Sequence, residues 1–150
     1  MPDGSARSRA CADPPMSPRV CWVIGNPVEH SLSPVIHNAA FAACDLDWTY
    51  FAVSVPRGRA ADAVAAMRSL RLGGMSVTMP HKEAVADLVD ELTPIADSLG
   101  AVNCVAWRGT SLIGDSTDGP GFVDALRIDH AFDPDGRRCL VIGAGGAARA

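Results

Sequence analysis

Apolar residues fall into short continuous runs and helically spaced sets that alternate along the chain, and each change of spacing predicts a new element. From Val20 the run VCWVIG is unbroken and stops at Gly25-Asn26-Pro27, the pattern of a buried strand ended by a turn. A polar loop, VEHSLS, follows. Ser33-Pro34 then sets a hydroxyl before a proline at a first helical position, and SPVIHNAAFAAC keeps its apolar residues to one face, so a helix capped by Ser33 is expected to about Cys44. WTYFAVSV is β-branched and aromatic and reads as a second strand. Ala60, Val64, Met67 and Leu70 recur at helical spacing within 57–71, and MSVTM, after the Gly73-Gly74 break, reads as a third strand. Residues 82–99 read as two helical pieces parted at Thr93-Pro94, where threonine caps and proline opens the second.

AVNCVAW and SLIGDS, separated by Arg108-Gly109-Thr110, have the form of a hairpin added to the sheet. TDGPGFVDALR is expected to open another helix, and RCLVIGAGGAARA reads as a strand running into a glycine-rich loop. Together these elements predict an α/β fold with a mixed, mostly parallel sheet and flanking helices. Residues 1–18 mix Pro, Ser, Arg and Ala without period and are expected to form a disordered tail.

Composition narrows the partners more than the fold. In 150 residues, 48% of them hydrophobic, one ordinary core can be buried, and the 13 basic and 17 acidic side chains are spread along the chain with no basic stripe. Nucleic acid is therefore not expected as a partner. No apolar run approaches the roughly 18 residues that cross a bilayer, and no apolar segment follows the arginines of the first residues, so a cytoplasmic protein without a membrane partner is expected. The five cysteines, at 11, 21, 44, 104 and 139, are odd in number and form no C-x-x-C pair, which suits reduced thiols; Cys21, Cys104 and Cys139 lie in apolar runs and are expected to pack as small hydrophobes. His30, His37 and His81 lack a matching acidic cluster, so no metal site is expected; His37 is placed in a helix and His81 in a surface loop.

Two features carry chemistry. In CLVIGAGGAARA, Gly143, Gly145 and Ala148 fit G-x-G-x-x-A directly after the expected strand, the setting of a Rossmann dinucleotide loop. Gly143 would make the tight turn, Gly145 would let a pyrophosphate approach the backbone, and Ala148 would let helix pack on strand, although an ordinary glycine-rich strand-to-helix turn would use the same residues. The second feature is a set of polar side chains near the ends of the expected strands: Ser31 and Ser33, Thr78 and Lys82, then Asn103 and Asp118. Ligands of open α/β sheets bind at the carboxyl ends of strands, and hydroxyls, an amide, a lysine and a carboxylate suit a small polyhydroxy acid. Lys82 is the most reactive member, since a desolvated ammonium exchanges protons nearer neutrality, though by position alone it could equally be a solvated lysine in a first helical turn.

GNPVEHSLSPVIHNAAF, MSVTMPHKEAV, AVNCVAWRGTSLIGDSTDGPGF and VIGAGGAARA occur in this order and resemble the serine pair, lysine signature, Ala-Val-Asn and Thr-Asp-Gly segments, and NADP loop of the shikimate dehydrogenase family. The resemblance implies an NADP-dependent oxidoreductase that reversibly reduces 3-dehydroshikimate to shikimate in aromatic amino-acid biosynthesis. It implies that Ser31 and Ser33 bind the substrate carboxylate, that Thr78, Asn103 and Asp118 hold ring hydroxyls with Lys82, and that Lys82 and Asp118 form the catalytic pair. Gly143, Ala144, Gly145, Gly146, Ala147 and Ala148 would hold NADP, and the resemblance leaves room for a homodimer.

On this reading residues 19–117 form the substrate-binding domain, and 118–150 form a linker helix and the truncated start of a Rossmann domain. The chain is expected to be a fragment, inactive alone. Ser76 stands where the family usually has asparagine, and Ser116 where Asn-Thr-Asp is usual, so a substrate contact is expected to be lost or replaced by water. A quinate or shikimate dehydrogenase of broader scope, a non-catalytic shikimate-binding module and an interaction domain that inherited the fold are the competing readings.

Overall fold

The continuous apolar run at 20–25 needs apolar cover on both faces, and it finds it as β1 (Arg19–Gly25) in the interior of the sheet. This computed structural model describes residues 19–143 and 145–149; the expected tail and Ala144 lie outside the described residues. Strand β1 runs parallel to β2 (Trp48–Ser54) on one side and β3 (Gly74–Val77) on the other. Strands β5 (Cys104–Arg108) and β6 (Ser111–Asp115) form the expected hairpin; they run antiparallel to each other, and β5 runs antiparallel to β3, with Gly109 at φ +62° in the turn. The two-residue β4 (Glu91–Leu92) pairs parallel with β6, giving the order β2-β1-β3-β5-β6-β4, a mixed sheet with more parallel than antiparallel pairings.

Side chains alternate across a strand, so β1 sends Trp22 and Ile24 to one face and Cys21 and Val23 to the other. The first face packs against Ala60, Val64 and Met67 of helix α2 (Ala60–Ser69) and joins Met75, Val77, Val105 and Leu112 in the larger core. Each fully buried Val, Leu, Ile or Met among them stabilises the fold by about 1.5–3 kcal/mol. The second face gathers Cys21, Val23, Val28 and Tyr50, with Phe41 and Trp48 packed against them. Helix α1 (Ser33–Ala43) lies here, and the Asn38 amide both donates to Tyr50 O (3.0 Å) and accepts from Tyr50 N (2.8 Å), pairing backbone groups on an edge strand that would otherwise be open to another strand.

The helical reading of 82–99 holds in part. Helix α3 (Lys82–Ala86) and helix α4 (Pro94–Leu99) flank β4, which no periodicity announced; Thr93 caps α4 by accepting from Ala96 N at 3.3 Å. Helix α5 (Asp118–His130) follows as expected, then the short α6 (Gly146–Arg149).

Several local expectations are overturned. Ser33 is not the cap of α1: it lies inside the helix, Leu32 occupies the cap position, and the Ser31 hydroxyl accepts from Ser33 N at 3.2 Å. Strand β3 ends at Val77, leaving Thr78 and Met79 in the following turn, and Leu70 sits exposed at the C-cap of α2. Residues 138–143 form no strand, and Leu140, Val141 and Ile142 are exposed, because no strand among the described residues pairs with them. Cys139 is exposed with them, while Cys21 is buried and Cys104 half-buried; these and Cys44 are free thiols.

Asp90 holds α2 to the hairpin. Its carboxylate accepts two bonds from Arg68 (2.8 and 2.9 Å) and one from Leu112 N (2.6 Å), and the Arg68 bonds first, then the Leu112 amide, hold its carboxyl below the usual range. A depressed folded value adds stability that is present above the unfolded pKa of about 4 and is lost as pH falls through the folded value. Asp90→Asn is therefore expected to lower the melting temperature at pH 7 and to approach wild type as the pH drops below about 4. Melting curves of the two proteins from about pH 7 to about pH 2.5 test this, and a gap that does not narrow on acidification contradicts it.

Candidate functional site

Three parallel strands ending at the same level bring their carboxyl ends together, and backbone bonds fasten the turns beyond them. Thr78 N donates to Ile24 O (2.9 Å), Asn26 N to Met79 O (3.0 Å) and Val55 N to Gly25 O (3.0 Å). Gly25 is required here: a methyl group on it would overlap Thr78 Cγ2 and press on Met79 O and Val28 Cβ. Its absence lets the turn after β3 lie against the end of β1, with the Thr78 methyl packed inward.

A cavity of about 460 Å³ opens at this level, lined by Ser31, Ser33, Thr78, Lys82, Asn103 and Asp118. Every side chain singled out for a small acidic ligand therefore faces one space. The Lys82 ammonium is in hydrogen-bond contact with the Asp118 carboxylate, an ion pair retaining 18% and 34% side-chain exposure. Asn103 organises the pair: its Nδ2 donates to Asp118 Oδ1 (2.6 Å) and to Thr117 Oγ1 (3.0 Å), and its Oδ1 accepts from Thr117 N (3.0 Å). The same residue bridges strand ends through its backbone, accepting from Val77 N (2.7 Å) and donating to Asp115 O (2.9 Å). Lys82 is fixed from behind as well, because its carbonyl accepts from Val102 N at 2.9 Å.

His81 is not in a surface loop. It is 1% exposed, and its Nε2 lies 2.7 Å from Val55 O; a carbonyl only accepts, so Nε2 carries the proton and ties the start of α3 to the end of β2. Ser116 is likewise buried and does not line the cavity, whereas Ser76 does and accepts a 2.6 Å bond from the Tyr50 hydroxyl. His37 and Thr117 also line the cavity. Thr117 was visible in the sequence as the neighbour of Asp118, while only the helical placement of His37, one turn beyond Ser33, pointed toward the cavity. Burial, then the nearby Asp115, pushes the Cys104 thiol up, so this cavity-lining residue remains a neutral thiol rather than a nucleophile at neutral pH. Among the described residues no three His, Cys, Asp or Glu side chains gather as a metal site, and no helix is long and apolar enough to cross a membrane.

A second cavity, about 500 Å³, shares Thr78, Met79 and Lys82 with the first and is also lined by Arg57, Pro80, Glu83 and Gly145. The glycine-rich loop therefore reaches the site. Gly143 has φ +130°, a conformation that favours glycine, and a Cβ there would stand 3.4 Å from the Ala148 methyl; around Gly145 nothing would crowd a Cβ within 4 Å. Gly145 O accepts from Ala148 N (3.0 Å) and Arg149 N (3.1 Å), starting α6. These features fit a backbone that a phosphate can approach closely. Ala144 and the side chain of Ala147 lie outside the described residues.

The family model described as the shikimate dehydrogenase substrate binding domain matches residues 23–105. The NADP(+) shikimate dehydrogenase of Geobacter metallireducens is 52% identical over 132 residues, which cover 88% of this chain and 46% of that protein. Among solved structures, the shikimate 5-dehydrogenase of Thermus thermophilus in complex with NADP(H) and shikimate superposes with a TM-score of 0.80 at 37% identity, covering 87% of this chain and 49% of that one. The ligand-free 5-ketofructose reductase of Gluconobacter sp. strain CHM43 gives a TM-score of 0.78 at 34% identity, covering 89% and 47%. The chain spans about half the length of the curated relatives it matches.

The close approach at Gly25 has a measurable consequence. Gly25→Ala must displace the turn at Thr78–Met79, and overpacking of this kind costs about 1–3 kcal/mol. Denaturant unfolding of the variant should show that loss, and a midpoint equal to wild type would mean that the turn yields freely.

Proposed function

Because the chain belongs to the shikimate dehydrogenase family, we propose that its cavity binds shikimate and 3-dehydroshikimate and that Lys82 and Asp118 serve their NADP-linked interconversion. The observation that carries this reading is the Lys82–Asp118 pair, held by Asn103 inside a cavity that also presents Ser31, Ser33 and Thr78. Two serine hydroxyls suit the carboxylate of the substrate, and Thr78 and Asn103 suit its ring hydroxyls. Residues 19–117 act as the substrate-binding unit, and 118–150 as a linking helix and the opening of the dinucleotide-binding unit. The reading carries with it a cytoplasmic enzyme of aromatic amino-acid biosynthesis that is free to form a homodimer.

Reduction of the ketone adds a hydride to carbon and a proton to oxygen. Gly143, Gly145 and Ala148 would hold NADPH, which would supply the hydride. The chain's own side chains manage the proton. The Lys82 ammonium donates to the carbonyl oxygen as negative charge develops there, and it recovers a proton from solvent; in the oxidative direction the same path runs backward. Asp118, in contact with the ammonium, aims it. Ser116, buried and outside the cavity, does not enter this scheme, which leaves Ser76 as the departure from the family pattern that faces the cavity. That residue favours a second reading, a quinate or shikimate dehydrogenase of broader scope, since a serine leaves more room than the usual asparagine.

The intact enzyme is expected to reduce 3-dehydroshikimate with NADPH, and an assay in which neither shikimate nor quinate turns over with either nicotinamide would sink the proposal. The 150-residue chain alone is expected to bind shikimate without turnover; activity from it would mean that the cofactor site is misplaced. In the intact enzyme Lys82→Ala should lower kcat by about 10²-fold or more with a smaller change in KM, since proton transfer acts in the transition state. Asp118→Asn keeps the shape while removing the charge and should follow the same pattern. A near-normal kcat for Lys82→Ala, with folding checked by circular dichroism, would remove the lysine from the chemistry.

A further inference from the structure

The hydroxyl-to-hydroxyl bond between Tyr50 and Ser76 joins the second core to the floor of the cavity, and its direction can be argued from burial. Tyr50 is 4% exposed, and among the described residues its hydroxyl has Ser76 Oγ as its partner, at 2.6 Å. If Ser76 donated, the phenolic proton would be left buried without an acceptor, which is costly. If Tyr50 donates, that cost disappears, and the serine proton is free to turn toward the cavity that Ser76 lines. Burial pushes the Tyr50 phenol up, against a smaller opposite effect of the Ser76 bond, so the donor keeps its proton throughout the neutral range. Tyr50 is held for this task in two ways: His37 stacks on its ring at 4.3 Å between centroids and 12° between planes, and Asn38 clamps its backbone.

We propose that Tyr50 is a positioning residue that fixes Ser76 as a hydrogen-bond donor to an acceptor oxygen of the bound hydroxy acid, so that a Tyr50–Ser76 pair does the work of the amide usual at this position. The inference rests on the proposed binding of shikimate in this cavity. It explains how a shorter side chain keeps a directed contact: a serine alone can rotate its proton to any acceptor, whereas one that already accepts from a buried phenol has its donor direction restricted. It also gives His37 a purpose that needs no metal, as the surface against which Tyr50 is held.

Titration calorimetry of shikimate into the full 150-residue chain tests the pair. Tyr50→Phe keeps the ring, the His37 stack and the backbone clamp, and is expected to weaken binding by about three- to tenfold, the effect of one neutral hydrogen bond. Ser76→Ala should weaken it at least as much. In the Ser76→Ala background, Tyr50→Phe should have no further effect, because its only route to the ligand is gone. Wild-type affinity in Tyr50→Phe, or an equal loss in both backgrounds, overturns the inference while leaving the functional reading intact. Failure of the wild-type chain to bind shikimate overturns the functional reading and this inference together.

Discussion

The ion pair between Lys82 and Asp118 joins residues 36 apart in the sequence, and the placement of almost every other element around the cavity follows from keeping it in place. Two charges withdrawn partly from water are tolerated only when their remaining hydrogen-bonding capacity is met in good geometry. Here that condition is satisfied by Asn103, whose amide reaches Asp118 and Thr117, and by the Val102 amide bound to the Lys82 carbonyl. These contacts require residues 102–103 to lie beside the start of α3, which in turn requires β5 to run antiparallel along β3 in the register Ser76 opposite Cys104. The hairpin is therefore more than an extension of the sheet. It carries the chain back to the cavity so that α5 begins with its Asp118 carboxylate against the ammonium.

Elements whose stability comes from a local pattern were legible in the sequence. β1 and β2 announce themselves by apolar or β-branched runs, α2 by Ala60, Val64 and Met67, and the second half of 82–99 by a threonine cap and a proline. The gathering of Ser31, Ser33, Thr78 and Lys82 in one space was legible too, because parallel strands put their carboxyl ends at a common level, and Asp118 and Asn103 join them because the hairpin starts and ends at that level, β5 running antiparallel to β3. Their roles still belong to the proposed function.

What escaped depended on partners distant along the chain. β4 has two residues, too few to show a period, and exists because Glu91 and Leu92 meet Ile113 and Gly114. His81 reads as polar and therefore exposed, yet the Val55 carbonyl, 26 residues away, satisfies it in the core. The cap of α1 went astray over a subtler competition: Ser31 and Ser33 both offer a hydroxyl, and the backbone turns so that the first serves the amide of the second. Residues 139–143 show the limit from the other side. Leu140, Val141 and Ile142 have every local mark of a buried parallel strand, but a strand of that kind is made by its neighbours, and without pairing among the described residues the run lies exposed.

Thr78, Met79 and Lys82 line both cavities, so the turn after β3 is the wall between the space suited to a hydroxy acid and the space reached by Gly145. For the proposed chemistry this wall has to be thin and fixed, because Lys82 must keep its ammonium beside the oxygen that gains charge while it also borders the second space. Thinness comes from Gly25, whose missing side chain lets the turn settle onto the end of β1. Fixity comes from backbone bonds to Ile24 and Asn26 on one side and from buried His81 on the other. A lysine mounted directly after such a turn can serve both cavities with a short reach. That is the physical reason the sequence Thr78-Met79-Pro80-His81-Lys82 carries a small residue, a turn, a buried anchor and a charge in immediate succession.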